Sequence, residues 1–209
     1  MEVTIHSLKD NKNVVGHIVV CGIHSSIYHF ILPLRSNYLK KYQYIVIITG
    51  GVLPTEIWES IARFPRIFLI NGAPLSQETL LKANIIYADK AVILGHDSTL
   101  KSDVNDEMLD AQTIFIYKAI RKCNPDMQIL TELVYSSKIE FLLPKKKDNL
   151  NYTLSTLYAA GEVYISSIID TLTSQAFYNP HIVTIMQQIL KGGSDSRDED
   201  LKFYHPDLY

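Results

Sequence analysis

The chain has 209 residues, of which 47% are hydrophobic and 20% are charged, and its formal net charge at pH 7 is −2. This mixture is typical of a globular protein with a sizeable core, and the lack of a basic excess excludes a general nucleic-acid surface. The two cysteines, Cys21 and Cys123, lack metal-binding spacing, and no apolar run is long enough to cross a bilayer. We therefore expect a reduced, cytosolic domain, to which another part of a longer protein would supply any membrane segment.

Short apolar runs along the chain have the composition of buried strands. They fall at residues 17–22, 44–49, 66–70, 90–94, 128–132 and 139–143. Between them, helical spacing of apolar residues predicts a helix over residues 25–42, kinked at Pro33, and further helices that begin at Pro54, after Ser76 and near residue 106. Strands that alternate with helices and are apolar on both faces predict a parallel sheet covered on both sides. The predicted fold is α/β, with a Rossmann-like, doubly wound parallel sheet.

The region after the predicted sheet contains two amphipathic helices. They are predicted over residues 157–176 and 181–191 and are joined at Pro180 as a helix–turn–helix appendage. Their apolar stripes would form a symmetric contact with a second copy or a partner domain, or alternatively would cap their own domain. The stripe residues are Ile165, Ile169 and Leu172 in the first helix and Ile182, Ile185 and Ile189 in the second.

The domain organisation follows from these segments. Residues 1–13 are polar and are interpreted as a linker, and residues 14–150 form the Rossmann-like unit. Residues 151–193 form the helix–turn–helix segment. Residues 194–209 are charged and rich in aspartate, which predicts a disordered acidic tail.

The predicted Rossmann sheet raises the question of a dinucleotide cofactor. The motif for such a cofactor is G-x-G-x-x-G after the first strand, followed by an acid at the end of the second strand. This chain has GIHSSI at residues 22–27 and a second strand that ends in Thr49 before two glycines. Only Gly22 matches, so neither a dinucleotide nor catalysis is expected. A weak phosphate site through Gly22, Ser25 and Ser26 is the remaining possibility for a cofactor.

Several segments together resemble the regulator-of-potassium-conductance (RCK) domains of large-conductance, Slo-type potassium channels, most closely the second of their two tandem RCK domains. The segments run in the family's order from about residue 17 to residue 193. They are HIVVC (17–21), LPLRSNY (32–38), FPRIFLINGAPLS (64–76), ADKAVIL (88–94), TELV (131–134), YAAGEVY (158–164), DTL (170–172) and FYN (177–179).

The resemblance implies a calcium-activated type of channel subunit that assembles as a homotetramer. Its RCK domains would pair and build a gating ring on the cytoplasmic side of the cell membrane, and the ring would pull on the pore-forming membrane segment when ligand binds. The appendage resembles the crossover through which paired RCK domains hold each other. Two alternatives share the fold, a dinucleotide-binding regulator of a potassium transporter and a nicotinamide-dependent oxidoreductase.

The resemblance does not extend to the family's calcium site. Where the related channels carry a run of aspartates, this chain has Lys145, Lys146 and Lys147 with Asp148 as the one carboxylate among residues 141–151, so calcium is not expected to bind there. A second acidic cluster follows the fourth predicted strand and comprises Asp97, Asp103, Asp106, Glu107 and Asp110. In the first turn of a helix such residues are favoured by the helix dipole without any ligand. If a cation such as calcium, sodium or magnesium binds, the candidate ligands are Asp103 and Asp106, with Glu132 from the neighbouring strand.

Overall fold

The structure is a computed structural model of the whole chain. It describes residues 14–36, 39, 41–51, 53–95, 109–143, 153 and 155–191. The predicted acidic tail, the linker at residues 1–13 and the three lysines lie outside the described residues.

A single parallel sheet forms the centre of the fold. Its strands are β1 (Ile18–Cys21), β2 (Ile45–Thr49), β3 (Ile67–Asn71), β4 (Lys90–Ile93), β5 (Gln128–Leu133) and β6 (Val163–Ile165). They lie in the order β3-β2-β1-β4-β5-β6, and every neighbouring pair is parallel. This is the strand order of a doubly wound Rossmann-like fold, so the predicted fold class is confirmed. The order reverses between β1 and β4, which creates a switch point at the carboxyl ends of these strands.

The described helices connect the strands. They are α1 (Ile27–Ile31), α2 (Thr55–Ile61), α3 (Gln77–Lys82), α4 (Leu109–Cys123), α5 (Thr156–Ala159), α6 (Ser167–Tyr178) and α7 (His181–Lys191), with 3-10 helices at Pro33–Arg35, Ile85–Tyr87 and Ser136–Phe141. The predicted kink at Pro33 is present, because α1 ends at Ile31 and Pro33 begins a 3-10 helix.

The predicted sixth strand at residues 139–143 is wrong. This segment lies in the 3-10 helix and the turn after it, where Ile139 and Leu142 are both buried while Phe141 is 50% exposed. A 3-10 helix places residues three apart on one face, so its apolar pattern is easily mistaken for that of a short strand.

The sixth strand comes instead from the segment that was predicted to be one helix over residues 157–176. Gly161 has a φ of +71°, and the Glu162 N–H donates to the Leu157 carbonyl, so the helix stops there. Val163 and Ile165 are then buried beside β5. The sheet therefore extends past the predicted boundary at residue 150, and the segment 151–193 contains its last strand.

The two faces of the sheet are covered differently. On the first face, α3, α4 and α5 supply side chains that pack across the inner strands to β6, with Ile93, Ile129 and Val163 among the buried residues. On the second face, the buried cluster comes from α1 and α2 over β1 and β2, and it reaches β4 only at Val92. Side chains on the second face of β5 are more exposed, and Leu130 is 39% exposed.

Two buried polar side chains anchor the amino edge of the sheet. Arg35 donates through Nε to the carbonyl of Pro65 and through Nη2 to the carbonyl of Gln43, at 3.1 Å and 3.0 Å. His17 is fully buried, and its Nε2 donates to the Ala83 carbonyl at 2.9 Å. Burial lowers the pKa of His17 below its ordinary value, although the bond to Ala83 acts in the opposite direction. His17 is therefore neutral in the folded protein at neutral pH.

Candidate functional site

The switch point is lined by the residues that follow β1 and β4. Gly22 has a φ of +100°, and a Cβ at this position would lie 3.4 Å from the Leu94 carbonyl oxygen. The Leu94 N–H also donates to the Cys21 carbonyl at 3.0 Å. The backbone conformation therefore favours glycine at position 22 even without a phosphate to accommodate.

The candidate cofactor residues next to Gly22 lie at the surface. Ser25 and Ser26 are exposed, and the Ser26 N–H donates to His24 Nδ1 at 3.1 Å. The helix that follows, α1, has five residues, so its dipole would contribute little to the binding of an anion. The weak cofactor site at Gly22, Ser25 and Ser26 stays a prediction.

Glu132 lies at the carboxyl edge, as predicted, and it already has a protein partner. Its Oε2 accepts the Gly95 N–H at 2.9 Å, directly after β4. A Cβ on Gly95 would lie 3.1 Å from both Cδ and Oε2 of Glu132, so the carboxylate packs against the glycine backbone. Across the register of β5 and β6, Glu132 faces Tyr164, whose pKa is raised by burial and by the nearby negative charge of Glu132. This carboxylate is thus held in a defined place between two strand ends.

Asp110 has a structural role that the sequence did not reveal. Its side chain is 2% exposed, and its two oxygens accept the N–H groups of Val134 and Tyr135 at 2.8 Å and 3.0 Å. The carboxylate therefore joins the first turn of α4 to the chain that leaves β5. The predicted helix-dipole effect is at most one part of this role.

The rest of the acidic cluster, Asp97, Asp103, Asp106 and Glu107, lies outside the described residues. Within the described part of the chain, no group of three or more His, Cys, Asp or Glu side chains is placed to hold a metal ion. The cation site that would combine Asp103 and Asp106 with Glu132 stays a prediction, and the structure contributes the position of Glu132 alone.

An ion pair connects α4 to the turn before β6. Arg121 Nη2 lies 2.8 Å from Glu162 Oε2, and the same guanidinium donates to the carbonyls of Pro125 and Met127. The Tyr117 hydroxyl accepts from Arg121 Nε at 3.1 Å. These contacts fix the entry into β6, the strand that leads directly into α6.

The helices α6 and α7 pack against each other and leave much of their apolar surface in solvent. We call this helix pair, residues 167–191, the arm. No residue of α6 is buried, and every described side chain of α7 is half-buried or exposed. The prediction was wrong for Ile165, which is fully buried in β6 and does not belong to the stripe. The large exposed apolar side chains of the arm are Ile169 (55%), Phe177 (84%), Tyr178 (82%), Val183 (48%), Ile185 (49%) and Ile189 (68%).

Comparison with known families identifies this arrangement. A family model described as the calcium-activated potassium channel slowpoke-like RCK domain matches residues 13–131, more than half of the chain. The chain belongs to this family. The family predicted from the sequence motifs is thereby confirmed, and the chain is an RCK domain.

Relatives of this RCK domain are ion channels by name. Potassium channel subfamily T member 1 of Gallus gallus is 30% identical over 200 residues, covering 86% of this chain and 16% of the relative. The calcium-activated potassium channel slo-1 of Caenorhabditis elegans is 24% identical over 221 residues, covering 86% of this chain and 19% of that channel. The chain thus spans less than a fifth of the length of these two relatives.

A solved structure has the same architecture. The human SLO3 gating ring superposes with a TM-score of 0.73 and 28% identity, covering 86% of this chain and 34% of that one. Within the described residues of the RCK domain, none of the helices combines the length and the apolar character needed to cross a membrane.

Proposed function

We propose that this RCK domain is a regulatory module of a potassium channel, which couples the binding of an intracellular ion or ligand to opening of the pore. Family membership and the likeness to a gating ring support this function. The observation that carries the proposal is the exposed apolar surface of the arm. Contiguous exposed apolar surface of this kind marks a site of contact with another protein.

The arm is the assembly surface in this proposal. Its exposed side chains include two adjacent aromatic residues, Phe177 and Tyr178, at the turn between α6 and α7. Aromatic side chains of this kind dominate the free energy of association in many interfaces. The partners are other RCK domains, which pair through the arm and build a tetrameric ring beneath a pore-forming membrane segment. The domain then lies on the cytoplasmic side of the cell membrane.

The domain is not an enzyme in this proposal. His24 and Ile27 stand where the dinucleotide motif has its second and third glycines, and Gly22 lies in contact distance of Leu94. These features also argue against the two alternatives, a dinucleotide-binding transporter regulator and an oxidoreductase, because both need the glycine-rich turn.

The proposed ligand is a cation, calcium or sodium, at the carboxyl edge near Glu132. Asp103 and Asp106 would supply further carboxylates, since hard cations take oxygen ligands. The triple lysine at residues 145–147 argues against calcium at the position that the family resemblance suggests. The motion that couples the site to the pore would pass through β6, because Tyr164 pairs with Glu132 and α6 follows directly.

Thermal unfolding of the purified chain in the presence of separate ligands tests this function. A ligand that binds the folded state alone raises the melting temperature by mass action. We expect calcium or sodium to raise it, and we expect NAD and ADP to have no effect at micromolar concentration. Stabilisation by NAD would refute the proposal in favour of a dinucleotide-binding protein. The variant Glu132→Gln should abolish the cation effect, whereas replacing Lys145, Lys146 and Lys147 with alanine should leave it unchanged.

A further inference from the structure

A buried histidine at the amino edge of the sheet has a ring nitrogen that the fold leaves unused. His17 directly precedes β1 and is 0% exposed. Its Nε2 donates to the Ala83 carbonyl at 2.9 Å, whereas its Nδ1 has no hydrogen-bond partner within the described part of the chain. The neutral ring fits this place, because its one proton on Nε2 has an acceptor. A second proton, on Nδ1, would have none.

The bond from His17 to Ala83 belongs to a junction between two segments of the chain. Residues 14–17 lead into β1, and residues 83–89 lead from α3 into β4; we call these two segments together the entry junction. Three further hydrogen bonds join them: Asn84 Nδ2 donates to the Val14 carbonyl at 3.2 Å, the Gly16 N–H to the Tyr87 carbonyl at 2.9 Å, and the Asp89 N–H to the His17 carbonyl at 2.9 Å. Of these four bonds, the one from the His17 ring alone is made by a titratable side chain.

The charged groups around the entry junction do not compensate a proton on the His17 ring. On the surrounding elements these groups are Glu78, Lys82, Asp89, Lys90, Arg121 and Lys122. All but Arg121 are exposed, and Arg121 is paired with Glu162. The tyrosines on the same elements, Tyr44, Tyr87 and Tyr117, carry no charge near neutral pH. Burial lowers the pKa of His17, the bond to Ala83 raises it, and the net change is downward.

A protonated His17 ring is therefore incompatible with the closed junction. A buried charge without a counter-charge and a buried N–H without an acceptor both cost free energy. The ring takes up a proton more readily when water reaches it, so proton uptake favours conformations in which the ring has left its place. Because the ring leaves with its bond to Ala83 broken, residues 83–89 then lose one of their four bonds to residues 14–17.

The junction is built to open before the inner strands do. In the segment before β4, Ile86, Tyr87 and Asp89 are exposed and Asn84 is half-buried. By contrast, every side chain of β1 and β2 is buried. Segments with little buried apolar surface open at a lower free energy than the core strands of the same protein. Loss of the His17 bond is thus expressed locally.

We propose that His17 is an acid-sensitive switch that opens the entry junction while the inner strands stay folded. Since the pKa of the folded form is lowered, the stabilisation of the closed junction is complete above pH 6.5, the value of the unfolded chain, and is lost as the pH falls below it. One proton is taken up, so the opening constant rises by at most about tenfold per pH unit. This inference goes beyond the proposed function, because the response to protons needs no cation site and no partner domain.

Amide hydrogen exchange of the whole chain, followed by NMR at pH 7.5, 6 and 5 and corrected for intrinsic exchange, tests the switch. The amides of Gly16 and Asp89 donate across the junction, and their opening constants should rise up to about tenfold between pH 6 and pH 5, while those of β2 stay unchanged. In His17→Gln the rise should be absent, because the glutamine amide does not titrate. His29→Gln removes an exposed histidine from α1 and is the matched control, which should keep the rise.

Two results would overturn the inference. If exchange in β2 increases as much as exchange at Gly16 and Asp89, acid unfolds the whole domain and there is no local switch. If the rise persists in His17→Gln, another group is responsible. Should His17→Gln not fold, exchange of the imidazole C2 hydrogens in the original chain decides the question. The His17 ring should then exchange far more slowly than the exposed His29 ring, with a midpoint below pH 6.5, and a midpoint at or above 6.5 contradicts the proposal.

Discussion

Replacement of Asp110 by alanine tests whether this carboxylate joins α4 to the chain after β5. The change leaves the N–H groups of Val134 and Tyr135 without their charged acceptor in a partly buried place. Each hydrogen bond to a charged group contributes about 1.5–3 kcal/mol, so the free energy of unfolding should fall by about 3–6 kcal/mol. A carboxylate that acts through the helix dipole alone would be worth about 0.3–1 kcal/mol. The two explanations therefore differ by several-fold in magnitude.

Urea unfolding followed by circular dichroism measures this difference. With an m value of about 2 kcal/mol/M, the midpoint should shift by about 2 M at unchanged m. Asp110→Asn keeps one acceptor oxygen, so it should lower the free energy of unfolding by about half as much as Asp110→Ala does. Asp126→Ala removes an exposed carboxylate from the turn after α4 and should change the free energy of unfolding by less than about 0.5 kcal/mol. If Asp110→Ala lowered the free energy of unfolding no more than Asp126→Ala does, the two hydrogen bonds of Asp110 would contribute nothing to stability.

Three further changes test other contacts of the structure. Gly95→Ala should lower the free energy of unfolding by about 1 kcal/mol in urea unfolding, because its Cβ would press on the Glu132 carboxylate. The unfolded chain takes up a proton at His17 more readily than the folded one, so stability should fall as the pH drops below 6.5, the unfolded value of its pKa. His17→Gln should make this dependence shallower when urea midpoints are compared between pH 8 and about pH 5. Glu162→Gln should remove the ion pair to Arg121 and increase hydrogen exchange in β6 and α6, with no change in β1; equal exchange in both proteins would show that the ion pair does not hold β6.

The first five strands could be predicted because each contains consecutive apolar residues, and in β1 and β2 every side chain is buried. Residues 45–48, for example, are three isoleucines and a valine, all fully buried. The sixth strand has only three residues, and Tyr164 lies between Val163 and Ile165, so helical spacing over the longer segment outweighed it. The signal that could have placed it was Gly161, because a glycine in that position ends a helix.

The position of Glu132 in the candidate site could be predicted from the sequence, but the contacts of the carboxylates could not. Glu132 could be placed at the carboxyl edge because it ends a predicted strand of a parallel sheet. Its bond to the Gly95 N–H joins residues that are 37 positions apart, and neither residue alone indicates it. The burial of Asp110 was hidden for the same reason, since its partners lie 24 and 25 residues further along the chain. Local sequence patterns predict where these carboxylates lie along the chain, whereas their hydrogen-bond partners are known from the structure alone.

Because β6 is short, the segment that contains β6 and the arm is expected to be less stable than the rest of the sheet. The arm is joined to the sheet through a strand of three residues at its edge, bordered by the bonds from the Thr131 N–H to the Glu162 carbonyl and from the Ser166 N–H to the Leu133 carbonyl. Breaking this short ladder requires far less free energy than separating the buried central strands. We therefore expect residues 162–191 to open more readily than the other five strands, as a cooperative unit of their own.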